Sequence, residues 1–283
     1  MFRTLSGRSP RISLPKGAVD CHMHIYDGIN FMAPADSQGL PEDAFIAHYE
    51  QVQRWLGFER VVIVQSNGYR FDNSCTLHAL DHFGENARAI VTIKPEISDA
   101  EIENLSKRGV RGARIMDIWG GSVPLKDMLA VNDRVHPFDW SLIVQFDGCE
   151  IVEHSHVLEK IQGNYVIDHT GKFLNPVTVD SAEFKALLKL IDRGNCYIKV
   201  SAFYETSNAG APDYSDVGSL AKALIDYAPD RILWATNWPH LMARDAQSYP
   251  DDVYMLDLVN DWAGSDEVRR KIFADNPSRL YGF

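Results

Sequence analysis

Eight short runs rich in Val, Ile and Leu, most of them separated by stretches of helical periodicity, leave this 283-residue chain few architectures to adopt. They read Ala18–Ile25, Arg60–Ser66, Ala89–Lys94, Val110–Met116, Ser141–Phe146, Tyr165–His169, Cys196–Ala202 and Arg231–Asn237. Each is nearly continuous in apolar character rather than alternating, as expected of strands covered on both faces in a parallel sheet. The intervening segments Pro41–Leu56, Ser74–Phe83, Asp99–Arg108, Ile151–Gln162 and Ser181–Arg193 carry apolar residues three and four apart, with acids near their starts and bases near their ends. Eight βα units predict an α/β fold, a single-domain (β/α)8 TIM barrel. A doubly wound open sheet is the rival, and no GxGxxG follows the first strand to support it. Residues 1–17 read as an N-terminal arm and 18–283 as the barrel. The helical patterns Val253–Trp262 and Asp266–Phe273 are expected to pack on its outside or bottom.

A formal net charge of -11 argues against nucleic acid or an anionic membrane surface as partner. An anionic small molecule would then need a local Arg or Lys. The first 17 residues are basic but lack an apolar core ahead of a small-residue cleavage site, so the expectation is a soluble, uncleaved, cytoplasmic protein. Cys21, Cys75, Cys149 and Cys196 show no CxxC spacing and read as reduced thiols, mostly buried filler.

In a barrel of this kind the chemistry sits where strands end and loops begin. That selects Asp20, His22 and His24; Gln65, Ser66 and Asn67; Lys94; Arg114 and Asp117; Gln145 and Asp147; Asp168 and His169; Lys199 and Ser201; and Asn237 and His240. Strand alternation puts His22 and His24 on one face, aimed at the barrel mouth, with Asp20 beneath them. Two core histidines satisfied by carbonyls would be the plain alternative, but joined by His169 they make a functional cluster. Such a cluster with a carboxylate would suit zinc. The eighth strand, however, ends in Asn237, and an amide is a poor cation ligand and no base. The fifth offers Gln145 where a histidine would serve. The expectation is therefore no metal and no cofactor, with His22, His24 and His169 moving protons. Arg114 is the anchor for a carboxylate, unless it pairs with Asp117 or Asp168. Gln65, Asn67, Asn73 and Gln145 suit a polyhydroxylated ligand, and Lys199, Tyr204 and His240 are further candidate contacts. Trp238-Pro239 should wall the pocket. His48, His78, His82, His136, His154 and His156 fall away from strand ends and read as solvated or structural.

Taken in order, VDCHMH, RVVIVQSN with the following DNS, GVRGARI, YVIDHTGKF, ILWATNWPH and NPSRLYGF resemble the metal-independent lactone branch of the amidohydrolase superfamily, from about residue 15 onward. The loops MDIWGGSVPL and SAFYETS lack the arginines of the 2-pyrone-4,6-dicarboxylate lactonases. ARIMD, VQFDG, GKF, LLKLIDRGN and TNWPH are similar instead to the D-galactarolactone isomerase family, where Asn is usual at the position of Asn237. One departure is that the isomerase pattern can carry Gln where this chain has His22. The resemblance implies conversion of a 1,5-lactone into a 1,4-lactone by intramolecular acyl transfer, with His24, His169 and Asn237 in matching positions. A lactonase on the same residues is the alternative, and a silent barrel that only binds a sugar acid is a third. The partner implied is a small lactone carrying a carboxylate; an assembly of identical chains stays open.

Overall fold

The structure is a computed structural model and describes residues 3–118, 120–243 and 245–283. Eight parallel strands pair in sequence order: β1 (Val19–Met23), β2 (Arg60–Val64), β3 (Ala87–Val91), β4 (Val110–Met116), β5 (Ser141–Gln145), β6 (Tyr165–Ile167), β7 (Cys196–Val200) and β8 (Ile232–Trp234). Between them run α1 (Ile46–Leu56), α2 (Ser74–Phe83), α3 (Asp99–Arg108), α4 (Met128–Val135), α5 (Ile151–Leu158), α6 (Ala182–Asp192) and α7 (Ser215–Tyr227). This is the (β/α)8 barrel that the alternation predicts. Helices α4 and α7 are additions to the five intervening segments read from periodicity.

Strand alternation divides the core in two. Val19, Cys21, Val62, Val64, Ile90, Ile143, Val166, Tyr197 and Leu233 fill the barrel, while the residues between them, such as Val61, Ile63, Leu142 and Ile198, pack against the helices. Gly112 is needed at its inward position on β4, because a Cβ there would lie 2.4 Å from the Ser141 carbonyl. Past β8 the chain forms α8 (Asp252–Ala263), α9 (Asp266–Arg270) and α10 (Asn276–Tyr281). Helix α8 packs beside α7, and Leu280 and Tyr281 join the inner cluster, closing the barrel at its N-terminal end. The tail thus lies on both the outside and the bottom. The arm is tied to α8: Arg8 and Arg11 both engage the buried carboxylate of Asp257. No helix is long and apolar enough to cross a membrane among the described residues.

Candidate active site

Polar side chains replace apolar ones at the C-terminal end of the barrel. β1 does not supply them by simple alternation. Its register with β2 shifts between Asp20 and Met23, so Cys21 joins the inner core and His22 also faces inward. Asp20 is consequently not beneath the histidines, as expected from a regular strand. It accepts from the backbone N–H of His22 (3.2 Å) and Thr236 (3.0 Å), the Thr236 hydroxyl (2.6 Å) and the Tyr49 hydroxyl of α1 (2.9 Å). Burial pushes its carboxyl up to about 6 against those hydrogen bonds. Asp20 is a clamp across the β1–β8 seam, which two backbone bonds, Asn237 N–H to His22 and His24 N–H to Trp238, also lace.

The histidine tautomers follow from their partners. Lys199 of β7 donates to Asp168 Oδ1 at 2.7 Å and meets His22 Nδ1 at 3.0 Å. An ammonium can only donate, so Nδ1 accepts and the His22 proton sits on Nε2, 3.1 Å from His24 Nε2. His24 then gives its Nδ1 proton to the Val64 carbonyl at 2.7 Å. Burial holds both rings neutral, helped by Lys199 at His22 and by Arg114 at His24, whose pKa falls to about 3. His169 lies in left-handed backbone (φ 50°) after β6, with Nδ1 3.0 Å from Ser201 Oγ. Its Nε2 makes no hydrogen bond among the described residues, and burial lowers the ring to about 4 against the pull of Asp168. Of the three imidazoles, His169 is the one with an uncommitted nitrogen.

These groups border a cavity of about 210 Å³, lined by His24, His169, Arg114, Gln145 and Asn237 and capped by Gln38, Gly39, Leu241 and Met242 from the loops after β1 and β8. Arg114 donates Nη1 to the Gln65 carbonyl (2.7 Å) and Nη2 to Gln145 Oε1 (3.0 Å). Among the described residues no carboxylate lies within ion-pair distance of it, neither Asp117 nor Asp168, and its Nε is unsatisfied. A buried guanidinium of this kind is a ready seat for an anion. Asn237, at φ 60°, donates Nδ2 to Tyr204 Oη (2.9 Å) and Glu205 Oε1 (3.0 Å). A carboxylate only accepts, so the amide orientation is fixed and Oδ1 is the atom left to meet a ligand. Glu205 itself lines the cavity, ion-paired with the buried Lys172, and stays ionised with its pKa lowered chiefly by Lys172 against the cost of burial. Sequence reasoning missed Glu205, Lys172 and Arg70, a second cation on the cavity wall; YETS and GKF held the first two, but in loops whose geometry no periodicity reveals.

The remaining candidates lie around this centre. Asn67 lines the cavity with its amide held by Gly120 and Ser122. Gln65 is turned away: its amide spends both ends on Arg70, Asp72 and Thr76, and it meets the site only through its carbonyl. Asn73 is likewise consumed, by Phe71 and Thr92, and Asp117 is exposed outside the cavity. Tyr204 and His240 stand behind Asn237, with His240 bridging the Tyr204 hydroxyl (3.1 Å) and Asp252 (2.9 Å). Lys199 is fully buried and does not line the cavity.

His22, Asp168 and His169 form the one cluster among the described residues that could hold a metal, with ligand atoms within 4.8 Å of one another. The carboxylate that β8 lacks is therefore offered by β6. Yet the donor set does not fit a cation as it stands, because the Lys199 ammonium already binds Asp168 Oδ1 and His22 Nδ1.

A family model described as Amidohydrolase matches residues 19–283. The chain is 40% identical to a D-galactarolactone isomerase of Agrobacterium fabrum, over 99% of this chain and 96% of that protein. It is 32% identical to a 2-pyrone-4,6-dicarboxylate hydrolase of Comamonas testosteroni, over 96% and 92%. A crystal structure from Agrobacterium tumefaciens, at 39% identity and covering 99% of both chains, superposes with a TM-score of 0.95.

Proposed function

The chain belongs to the amidohydrolase family, and from that premise we propose that it is a lactone isomerase, converting the 1,5-lactone of a sugar diacid into its 1,4-lactone. The observation that carries this reading is Arg114, a buried guanidinium without a carboxylate partner among the described residues, on the wall of a cavity that also presents a neutral imidazole. The substrate's free carboxylate binds Arg114. Its 4-hydroxyl attacks the lactone carbon while handing its proton to His169 Nε2, and Asn237 Oδ1 accepts a neighbouring hydroxyl. Gln145, whose Oε1 is held by Arg114, offers Nε2 to the developing oxyanion. Collapse expels the ring 5-oxygen, which takes the proton back from His169. No step runs through a metal or a cofactor.

Two considerations favour isomerisation over hydrolysis. The relative at 40% identity carries the isomerase name, whereas the hydrolase is at 32%. The available imidazole, His169, is a weak base, lowered to about 4, and a hydroxyl delivered by the substrate itself needs little activation because aligned intramolecular attack has very high effective molarity. NMR of fresh D-galactaro-1,5-lactone with enzyme tests this: the 1,4-lactone should accumulate ahead of the open diacid. Diacid formed directly would make the protein a lactonase, and no acceleration of any aldarolactone would leave only a binding role.

A further inference from the structure

We propose that the ε-ammonium of Lys199 occupies the seat of a divalent cation, and that removing it turns His22, Asp168 and His169 into a zinc site. The geometry of this seat stands independently of the lactone reading. Lys199 enters from β7, where its neighbours Tyr197 and Leu233 belong to the barrel interior, and its side chain is fully buried. Its Nζ contacts two atoms, Asp168 Oδ1 at 2.7 Å and His22 Nδ1 at 3.0 Å, and both are ligand-type atoms with lone pairs aimed at one point. Those two atoms are 3.5 Å apart, close to the roughly 3.3 Å edge of a tetrahedron with ligands 2.0–2.1 Å from zinc.

A second observation points the same way. Asp168 Oδ2 is buried and has no hydrogen-bond partner among the described residues, and His169 Nε2 lies 3.9 Å from it. The seat is thus equipped for more bonds than Lys199 makes. His169 borders the cavity, so a water could complete a fourth position. An ammonium and a divalent ion within a few ångströms repel strongly in so buried a place, which makes the two occupants exclusive. Lysine supplies the positive charge that keeps Asp168 ionised, but no Lewis acidity and no bound hydroxide.

The test compares wild type with Lys199→Met, which keeps the apolar stem and deletes the charge, by equilibrium dialysis against buffered zinc followed by elemental analysis. Wild type should retain almost none and Lys199→Met about one ion per chain, with the ion also raising its melting temperature. Cobalt in place of zinc should give the visible bands of a four-coordinate His/carboxylate site in Lys199→Met alone. Because Lys199→Met leaves Asp168 as an unpaired buried charge, it can fail to fold without metal; recovery of soluble protein on adding zinc then reports the same occupancy. Lys199→Met/Asp168→Asn is neutral at the seat and should fold without binding zinc. Stoichiometric zinc in wild type overturns the proposal whatever the variants do. So does a Lys199→Met protein that neither binds zinc nor is recovered by it.

Discussion

Arg114 shows how much one residue can be asked to do. Burial lowers its guanidinium pKa, yet no ion pair among the described residues compensates, so the site holds an under-satisfied positive charge that a bound carboxylate would complete. Arg114→Met should lower kcat/KM for a carboxylated lactone about 100-fold, the effect of losing a charge-assisted contact of roughly 3 kcal/mol. Its melting temperature should stay at or above that of wild type, because an unpaired buried charge is removed along with the contact. Steady-state kinetics with the diacid monolactone and with an analogue lacking the free carboxylate checks this: the variant should no longer distinguish the two. Equal losses on both substrates would assign Arg114 to the reacting carbonyl instead. Arg114, His24, His169 and Asn237 were legible in the sequence because a polar residue closing an apolar run is a local signal. Glu205 and Lys172 were not, since their meeting depends on how two loops fold back over the mouth. Nor was the saturation of Gln65 and Asn73, whose amides hold backbone carbonyls that only the folded loops bring near.

At the level of the element, β1 carries the lesson. Strand boundaries read from hydrophobicity are close, and β4 agrees at both ends, but a register shift is invisible to a rule of alternation. The shift turns His22 inward beside Cys21 and sends Asp20 outward to Tyr49, so one residue expected under the site becomes a fastener of the seam. Asp20 receives four hydrogen bonds from β1, α1 and the segment after β8. Asp20→Ala should therefore leave two backbone N–H groups and two hydroxyls without their acceptor and cost about 3 kcal/mol in chemical denaturation. Unchanged stability would mean that the backbone bonds at Asn237 and His24 close the barrel on their own. Helices α4 and α7 escaped a reading from periodicity, although α7 is among the longer ones; its start follows an irregular loop in which Tyr214 takes left-handed backbone.

For the whole molecule, the polar ring decides how stability responds to acid. His22, His24 and His169 are all held neutral, with folded-state pKa values well below 6.5 at His22, about 3 at His24 and about 4 at His169. Between about pH 6.5 and 4 the unfolded chain takes up protons at these three rings that the folded chain refuses, so stability falls as pH falls. Asp20 acts in the opposite sense: its folded pKa is raised to about 6, so over the same window the folded chain gains a proton and some stability on acidification. Three groups against one leave a net loss, which begins near pH 6.5 rather than in the usual carboxylate range. Further down, Asp168 and Glu205, both held below their ordinary values, add to it as they are forced to protonate. Thermal melts across this range should show a plateau above about pH 7 and a decline that sets in near 6.5, with a slope from these groups of up to about 2.7 kcal/mol per pH unit. His169→Gln removes one of the three refused protons and should make the decline shallower, whereas Asp20→Asn removes the opposing group and should make it steeper. A melting temperature that stays flat down to pH 5 in wild type would mean that the three rings take up protons in the folded chain as readily as in the unfolded one, so that burial does not hold them neutral over this window.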